Sequence, residues 1–161
     1  MGWNYREIVR KFLPCIERGE LKLLEDVPSN ELRQLYRHAA ATVCPSVGEG
    51  FDFPGVEAMR CGTAVVASDI KVHREIFGDA AEFFSPYDSS DAAHAIERVI
   101  APARAARRAE LIEHGASHAT QYTPQRILPL WDHFLKSRFA ATDKRLDESE
   151  YRQRVGALGS A

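Results

Sequence analysis

The chain has 161 residues, of which 45% are hydrophobic and 27% charged, and its formal net charge is −2 at pH 7. This length suits about one globular domain, and the mixed charges exclude the broad basic face that binding to nucleic acid would require. No apolar run approaches the ~20 residues of a membrane-spanning helix, and the N-terminus lacks the apolar stretch of a signal peptide. Three cysteines without C-x-x-C spacing suit a reducing compartment, so we expect a soluble, cytoplasmic protein.

The first part of the chain is predicted to alternate helices with short strands. Apolar residues at helical spacing predict a helix over residues 5 to 18, although Pro14 is expected to kink it or end it early. The elements that follow are a strand at 21–27, a helix from Asn30 to about His38 after the cap Ser29, a buried strand at 41–46, a helix from about Pro54 to Cys61, and a second buried strand at 63–69.

The second part continues this alternation. It is predicted to contain a helical turn at 72–77, a third buried strand at 81–85, a helix capped by residues 88–90, an Ala- and Arg-rich helix at 103–118, and a last helix that begins at Pro124. Helical spacing places Trp131 and Phe134 of the last helix in the core. We expect one partial domain over residues 1–142, followed by a polar, mobile tail over residues 143–161.

Strands that alternate with helices at this spacing predict βαβ units and a mostly parallel sheet. The expected fold class is therefore α/β, an incomplete Rossmann-like parallel sheet flanked by helices. Such sheets bind ligands in the loops beyond the carboxyl ends of their strands. The loop at 46–54 leaves one predicted strand and enters a helix, so its position predicts a binding site.

The residue types in this loop indicate which ligand it could bind. Backbone N–H groups of Gly55 and Val56, at the start of the helix that follows, would form an anion site suited to phosphate. Glu57 in the first helical turn either helps to cap the helix or accepts hydrogen bonds from a diol such as ribose. Glu49 lies between two glycines, where a polar ligand contact is favoured over a solvated loop acid.

Other chemistries were weighed against these. A glycoside hydrolase would also use two carboxylates, but a carboxylate at a helix N-terminus beside an anion site suits a nucleotide better. His114 and His118 are spaced for a shared metal, yet no third ligand is evident, and surface positions are favoured. The basic cluster Arg104, Arg107 and Arg108 is interpreted as a solvated helix face, with contact to an anionic membrane as the alternative.

A longer stretch is recognisable as a family pattern. The sequence CPSVGEGFDFPGVEAMRCGTAVVASDIKVHREIFGDAAEFFSPYD, residues 44–88, resembles the donor-binding half of group 1 (family 4) retaining glycosyltransferases of the GT-B fold. The family signature is a pair of glutamates separated by seven residues, here Glu49 and Glu57. The resemblance extends over about residues 20 to 139 and is far more specific than a lone glycine-rich loop.

The resemblance implies roles for individual residues. Glu49 would be the catalytic residue that contacts hydroxyls of the donor sugar, and Glu57 would bind the ribose hydroxyls. The remaining donor-binding residues would be Gly50, Phe51, Asp52 and Phe53 around the sugar, and Gly55 and Val56 at the diphosphate. The substrate implied is a nucleotide-diphosphate sugar, with no metal and no further cofactor. Asp52 and Phe53 stand where many relatives have glycine and leucine, which adds an acid near the donor pocket.

The family pattern is incomplete in this chain. Two strands expected ahead of the strand at 21–27 do not fit before Leu21, and no acceptor-binding domain is present, so a truncated donor-binding region is expected. The strand at 41–46 would then have an open edge. It would pair with the strand at 21–27, or with strands from a second copy or an acceptor-domain polypeptide. Two alternatives to an enzyme remain: a donor-binding subunit of a split glycosyltransferase, and an inactive remnant that self-associates.

Overall fold

The computed structural model describes residues 5–142, and the side chains of residues 5–139. The chain divides into two compact units, residues 1–35 and residues 36–161. In the first unit, helix α1 covers Tyr5–Glu17. Pro14 lies inside α1 and the helix continues for three residues beyond it, so the expected early end does not occur. Helix α2, Ser29–His38, begins in the first unit, and its last turn belongs to the second.

The predicted strand at 21–27 is wrong, because this segment is irregular. Asp26 has a φ of 52°, a left-handed conformation that an extended strand does not contain. Leu23 and Leu24 are both exposed, at 52% and 57%, whereas a half-buried strand would point successive side chains to opposite faces. The predicted pairing of this segment with the strand at 41–46 is therefore wrong as well. Completion of the sheet by another chain stays a prediction.

The second unit carries the alternation that the sequence predicts. Its strands are β1 Thr42–Cys44, β2 Val65–Ser68 and β3 Ala81–Phe84. Its helices are α3 Phe53–Arg60, α4 Lys71–Phe77, α5 Ser89–Ile100, α6 Ala105–His118 and α7 Pro124–Thr142, and short 3₁₀ turns cover Gly78–Ala80, Pro102–Arg104 and Ala119–Tyr122. Helix α5 begins as predicted, because Asp88 accepts hydrogen bonds from the N–H groups of Ser90 and Asp91.

The three strands form a parallel sheet in the order β1-β2-β3. Val66 in the central strand pairs with Val43 on one side and with Glu82 on the other. All four residues of β2 are buried, since helices cover both faces of the sheet. Within the described residues β1 is an edge strand, and Val43 on it is 39% exposed.

Each face of the sheet has its own apolar core. On one face Val65 and Ala67 pack with Met59 of α3 and Phe77 of α4. On the other face Val66 joins a cluster from β3, α5 and α6 that contains Phe84, Val99 and Leu111. The arrangement confirms the predicted α/β class, with a parallel sheet flanked by helices.

Helix α7 does not bury the residues expected to lie in the core. Trp131 and Phe134 pack edge to face with each other but are 57% and 48% exposed, so that prediction is wrong. Helical spacing shows that side chains share one side of a helix, but it does not show that another element covers that side. Among the described residues, α7 packs mainly against the 3₁₀ turn Ala119–Tyr122.

Three further predictions concern surface and terminal segments. The polar tail at 143–161 lies outside the described residues. Arg107 of the basic cluster forms ion pairs with Glu82 and Glu110, as a residue on a solvated helix face does. None of the helices within residues 5–142 is long and apolar enough to cross a lipid bilayer.

Candidate functional site

The site lies at the carboxyl end of β1, where the β1–α3 loop (residues 45–52) leads into helix α3. This loop and the first residues of α3 line a cavity of about 500 Å³, together with Val43 and Cys44. Ligand pockets in proteins have volumes of about 300 to 1,000 Å³. The structure thus places a cavity of ligand size where the sequence predicts a binding loop.

Glu49 is exposed and held in place by the start of the loop. The Ser46 hydroxyl donates a hydrogen bond of 2.6 Å to Glu49 Oε1. The backbone of Ser46 is itself anchored, because the hydroxyl of Ser68 in β2 donates to its carbonyl oxygen. Glu49 therefore combines a solvent-accessible carboxylate with a fixed position, which is what a ligand-contacting residue needs.

Asp52 has the opposite environment. It is 8% exposed and adopts a left-handed backbone conformation, with φ 71° and ψ 70°, at the N-cap of α3. Its Oδ1 accepts a hydrogen bond of 3.1 Å from the Gly55 N–H, and its Oδ2 lies 2.9 Å from His73 Nε2. Since both oxygens have neighbours inside the protein, Asp52 holds the helix start while it also lines the cavity, and its role near the donor stays a prediction.

Gly55 is required by packing. A Cβ added there would lie 2.3 Å from Phe77 Cζ and 3.2 Å from Cys44 Sγ, so this part of α3 approaches the core too closely for any larger residue. The Gly55 N–H, expected to meet a diphosphate, donates to Asp52 in the chain without a ligand. Val56, the other residue expected there, is buried with its side chain in the core.

Glu57 is exposed in the first part of α3, and Tyr36 lies beside it. Partial burial first, and then the Glu57 carboxylate, raises the pKa of Tyr36 to about 12. The backbone of Tyr36 is fixed by a hydrogen bond from the Thr63 hydroxyl to its carbonyl oxygen. Tyr36 is thus a neighbour of Glu57, the residue expected to bind ribose. Sequence reasoning missed this neighbour.

Aromatic side chains support the middle of the loop. The Phe51 ring packs against Phe53, with centroids 4.7 Å apart, and meets Tyr122 edge to face at 5.1 Å. The Tyr122 hydroxyl donates to the Ile76 carbonyl oxygen, which ties this cluster to α4. Phe53 remains 68% exposed at the mouth of the cavity. Phe51 is therefore mainly a support for the loop, and Phe53 is the ring accessible to a ligand.

Sequence reasoning also missed the role of two residues behind the loop. His73 lies in the segment predicted as a helical turn at 72–77, to which no role was assigned, yet it is fully buried and contacts Asp52. The Cys44 thiol lies beside the same carboxylate, and burial first, then Asp52, raises the pKa of that thiol. The available signal was a histidine in a helix that directly follows a buried strand. Spacing alone does not show which residue that histidine faces.

The predicted residues form one cluster around the cavity. Gly50 and the residues from Phe51 to Pro54 line it with Glu49, while Glu57 lies exposed on the helix that begins there. Within the part of the chain that the structure describes, no three His, Cys, Asp or Glu side chains are grouped so that they could hold a metal ion. His118 instead contacts the Ile76 carbonyl oxygen, at 2.8 Å.

Comparison with protein families gives one match. The model of the family described as "Glycosyl transferases group 1" matches residues 16–118, which is more than half of the chain. The matched region includes the β1–α3 loop, helix α3 and all three described strands.

Individual relatives agree with this match. An O-antigen chain mannosyltransferase of Salmonella typhimurium is 38% identical over 82 residues, which cover 51% of this chain and 23% of the relative. A D-inositol 3-phosphate glycosyltransferase of Acidothermus cellulolyticus is 30% identical over 128 residues, or 74% of this chain and 28% of the relative. The chain thus spans about a quarter of the length of these two curated relatives.

A solved structure shows the same fold. The sucrose-phosphate synthase of Thermosynechococcus elongatus superposes with a TM-score of 0.75 over 84% of this chain and 34% of its own, at 24% sequence identity. The likeness supports the fold assignment, an α/β arrangement of the kind found in GT-B glycosyltransferases.

Proposed function

Because the chain belongs to the group 1 glycosyltransferases, we propose that its second unit binds a nucleotide-diphosphate sugar in the cavity beside the β1–α3 loop. The bound sugar is then transferred with retention of configuration. The observation that carries this proposal is the position of the cavity. It lies inside the family-matched region, at the carboxyl end of β1, and Glu49 lines it.

The two glutamates supply hydrogen-bond acceptors for the donor. Glu49, oriented by the Ser46 hydroxyl, is the group proposed to contact the hydroxyls of the donor sugar. Glu57 is proposed to bind the ribose hydroxyls, since a carboxylate accepts from two adjacent hydroxyls and this one is exposed. The exposed Phe53 ring offers an apolar surface at the mouth of the cavity.

Helix α3 is proposed to stabilise the diphosphate as it departs. Its N-terminus carries the positive end of the helix dipole, and Pro54 in the first turn loses no hydrogen bond there, because its missing N–H would be unpaired in any case. Negative charge grows on the leaving diphosphate during transfer, so a fixed dipole aimed at it lowers the barrier. We propose that no metal ion takes part, as expected from the family resemblance.

Transfer also needs a site for the acceptor. We propose that an acceptor-binding region on another domain or polypeptide supplies this site, and that these residues alone bind the donor without transferring it. The alternative of a donor-binding subunit shares this geometry. The two hypotheses differ in whether the acceptor region belongs to the same polypeptide.

The test is thermal unfolding of the purified chain with UDP, GDP and their sugar conjugates. A ligand that binds the folded state raises the midpoint temperature, and at a given concentration the rise is larger for a ligand that binds more tightly. We expect one nucleotide and its sugar conjugates to raise the midpoint in the wild type, and neither to raise it in Glu57→Ala. Glu113→Ala, which removes an exposed helical glutamate on α6, is the matched control and should respond like the wild type.

Two outcomes would contradict the proposal. A wild-type chain that unfolds cooperatively and responds to no nucleotide would show that these residues do not bind the donor. A response that Glu57→Ala and Glu113→Ala share equally would show that the nucleotide binds elsewhere.

A further inference from the structure

His73 is a fully buried side chain that the proposed reaction does not use. It lies on α4 and its ring packs beside Phe77, with centroids 5.3 Å apart. Its Nδ1 atom is 2.9 Å from the carbonyl oxygen of Ser68 and 3.0 Å from the hydroxyl of the same residue. Both ring nitrogens therefore face polar atoms in the interior.

Hydrogen-bond accounting places a proton on Nδ1. A carbonyl oxygen only accepts, so the Ser68 carbonyl needs a donor. The single hydroxyl proton of Ser68 already goes to the Ser46 carbonyl oxygen, so this hydroxyl can only accept from the ring. His73 Nδ1–H is the donor that satisfies both oxygens.

The other ring nitrogen faces a carboxylate. Nε2 lies 2.9 Å from Asp52 Oδ2, and the other oxygen of that side chain accepts a hydrogen bond from the Gly55 N–H at the start of helix α3. The ring therefore touches the residue that caps α3.

The contact with Asp52 is close but poorly aligned. Among the described residues, His73 Nε2 is the one buried side-chain nitrogen or oxygen without a partner that meets hydrogen-bond geometry. At 2.9 Å the distance is adequate, so it is the direction from the ring nitrogen to Oδ2 that departs from hydrogen-bond geometry.

Two ends of one loop meet at this ring. Ser46, at the start of the β1–α3 loop, is reached through Ser68, and Asp52, at the end of the loop, is reached directly. Glu49 lies between them and accepts from Ser46. We propose that His73 is a positioning residue: its ring contacts both ends of the β1–α3 loop, directly at Asp52 and through Ser68 at Ser46, and so fixes Glu49 for the donor.

The first test reads the ring directly and needs no ligand. Nitrogen-15 NMR of the histidine side chains should show a proton on Nδ1 of His73, as its contacts with Ser68 require, with the signal assigned by its loss in His73→Asn. A ring without a proton on Nδ1 would overturn the proposal.

The second test asks whether the ring fixes the loop. Asn at position 73 keeps a donor near Nδ1, and Gln keeps one near Nε2, so each variant retains one of the two connections. Amide hydrogen exchange at Gly55, whose buried N–H is bonded to Asp52 at the end of the loop, should be at least about tenfold faster in both variants than in the wild type. Equal exchange in all three proteins would contradict the positioning role. His114→Asn, an exposed site on α6, is the control.

The link to Glu49 rests on the proposed function and is measured last. Donor affinity should fall by about tenfold or more in His73→Asn, since small displacements of a contact residue are costly. Failure of the wild type to bind any donor would reject the proposed function, and the NMR and exchange results would still decide the role of His73. Unchanged donor affinity in His73→Asn would reject the link.

Discussion

Glu49 and Asp52 lie three residues apart in the β1–α3 loop, yet their surroundings differ completely. Glu49 is exposed and has the Ser46 hydroxyl as its hydrogen-bond partner among the described contacts. Asp52 is buried, caps a helix and faces His73. The first is available to a ligand, while the second is committed to the fold. One acid of the loop is thus available for ligand contact, and the other supports the fold. Variants at Glu49 and Asp52 should separate these roles.

The largest effect on stability is expected in Gly55→Ala, at the start of helix α3 just after Asp52. The new Cβ would lie 2.3 Å from Phe77 Cζ, and Phe77 is fully buried, so the core must shift. Overpacking of this kind costs about 1 to 3 kcal/mol in the free energy of unfolding. Urea unfolding followed by circular dichroism measures it. Gly48→Ala, where the structure shows nothing within 4 Å of the added Cβ, is the control and should leave stability unchanged.

If Gly48→Ala and Gly55→Ala lost stability equally, the close contact between α3 and the core would not be the cause. Helix propensity favours alanine over glycine inside α3, so a loss in Gly55→Ala can only come from the contact.

Two variants, Asp52→Asn and Glu49→Gln, test whether the two acids of the loop have different roles. Asp52→Asn keeps a side-chain oxygen for the helix cap but replaces the buried carboxylate beside His73 Nε2 with an amide. We expect a loss of about 2 kcal/mol, as is typical when a buried polar contact is disturbed. Glu49→Gln should change stability by less than about 0.5 kcal/mol, as at most exposed sites. Urea unfolding measures the stability of each variant, and donor-dependent thermal shifts measure its donor binding.

Donor binding should show the reverse order for Glu49→Gln, which loses an acceptor at the ligand while its fold stays intact. A stable Asp52→Asn variant together with an unstable Glu49→Gln variant would invert the assignment of the two roles.

The parts of this site that the sequence predicted are those set by local pattern. The strand at 41–46, the loop and the helix near Pro54 follow from apolar runs, glycines and a proline, and each is found close to the predicted bounds. The partners of Asp52 and His73 were not predicted, because these residues are 21 positions apart and meet only when α4 packs beside α3. The prediction of a strand at 21–27 was wrong for a related reason. A strand forms by pairing with a neighbouring strand, and a run of apolar residues alone is not sufficient.

A smaller effect on stability is expected in Tyr36→Phe. Tyr36 lies beside Glu57, which is proposed to bind the ligand. Its pKa is raised to about 12, mainly by burial, so the folded protein holds the phenol proton more tightly than the unfolded chain. The stabilising contribution is complete below about pH 10, the ordinary value of tyrosine, and is lost as the pH rises toward 12. In Tyr36→Phe the decline of stability over this range should be shallower. Equal slopes in the two proteins would exclude Tyr36 as a contributor.

The smallest effect is expected at an exposed ion pair that resembles the Asp52–His73 pair in composition but not in burial. Arg74 donates two hydrogen bonds to Asp69, which hold the pKa of that carboxyl below its ordinary value, yet both side chains are about half exposed. Solvent screens such pairs, so Asp69→Asn should cost less than about 1 kcal/mol in urea unfolding at pH 7. Because the carboxyl pKa is lowered in the folded state, this contribution exists above about pH 4 and disappears as the pH falls further. A loss as large as that of Asp52→Asn would mean that charge pairing, and not burial, determines what an acid contributes to this fold.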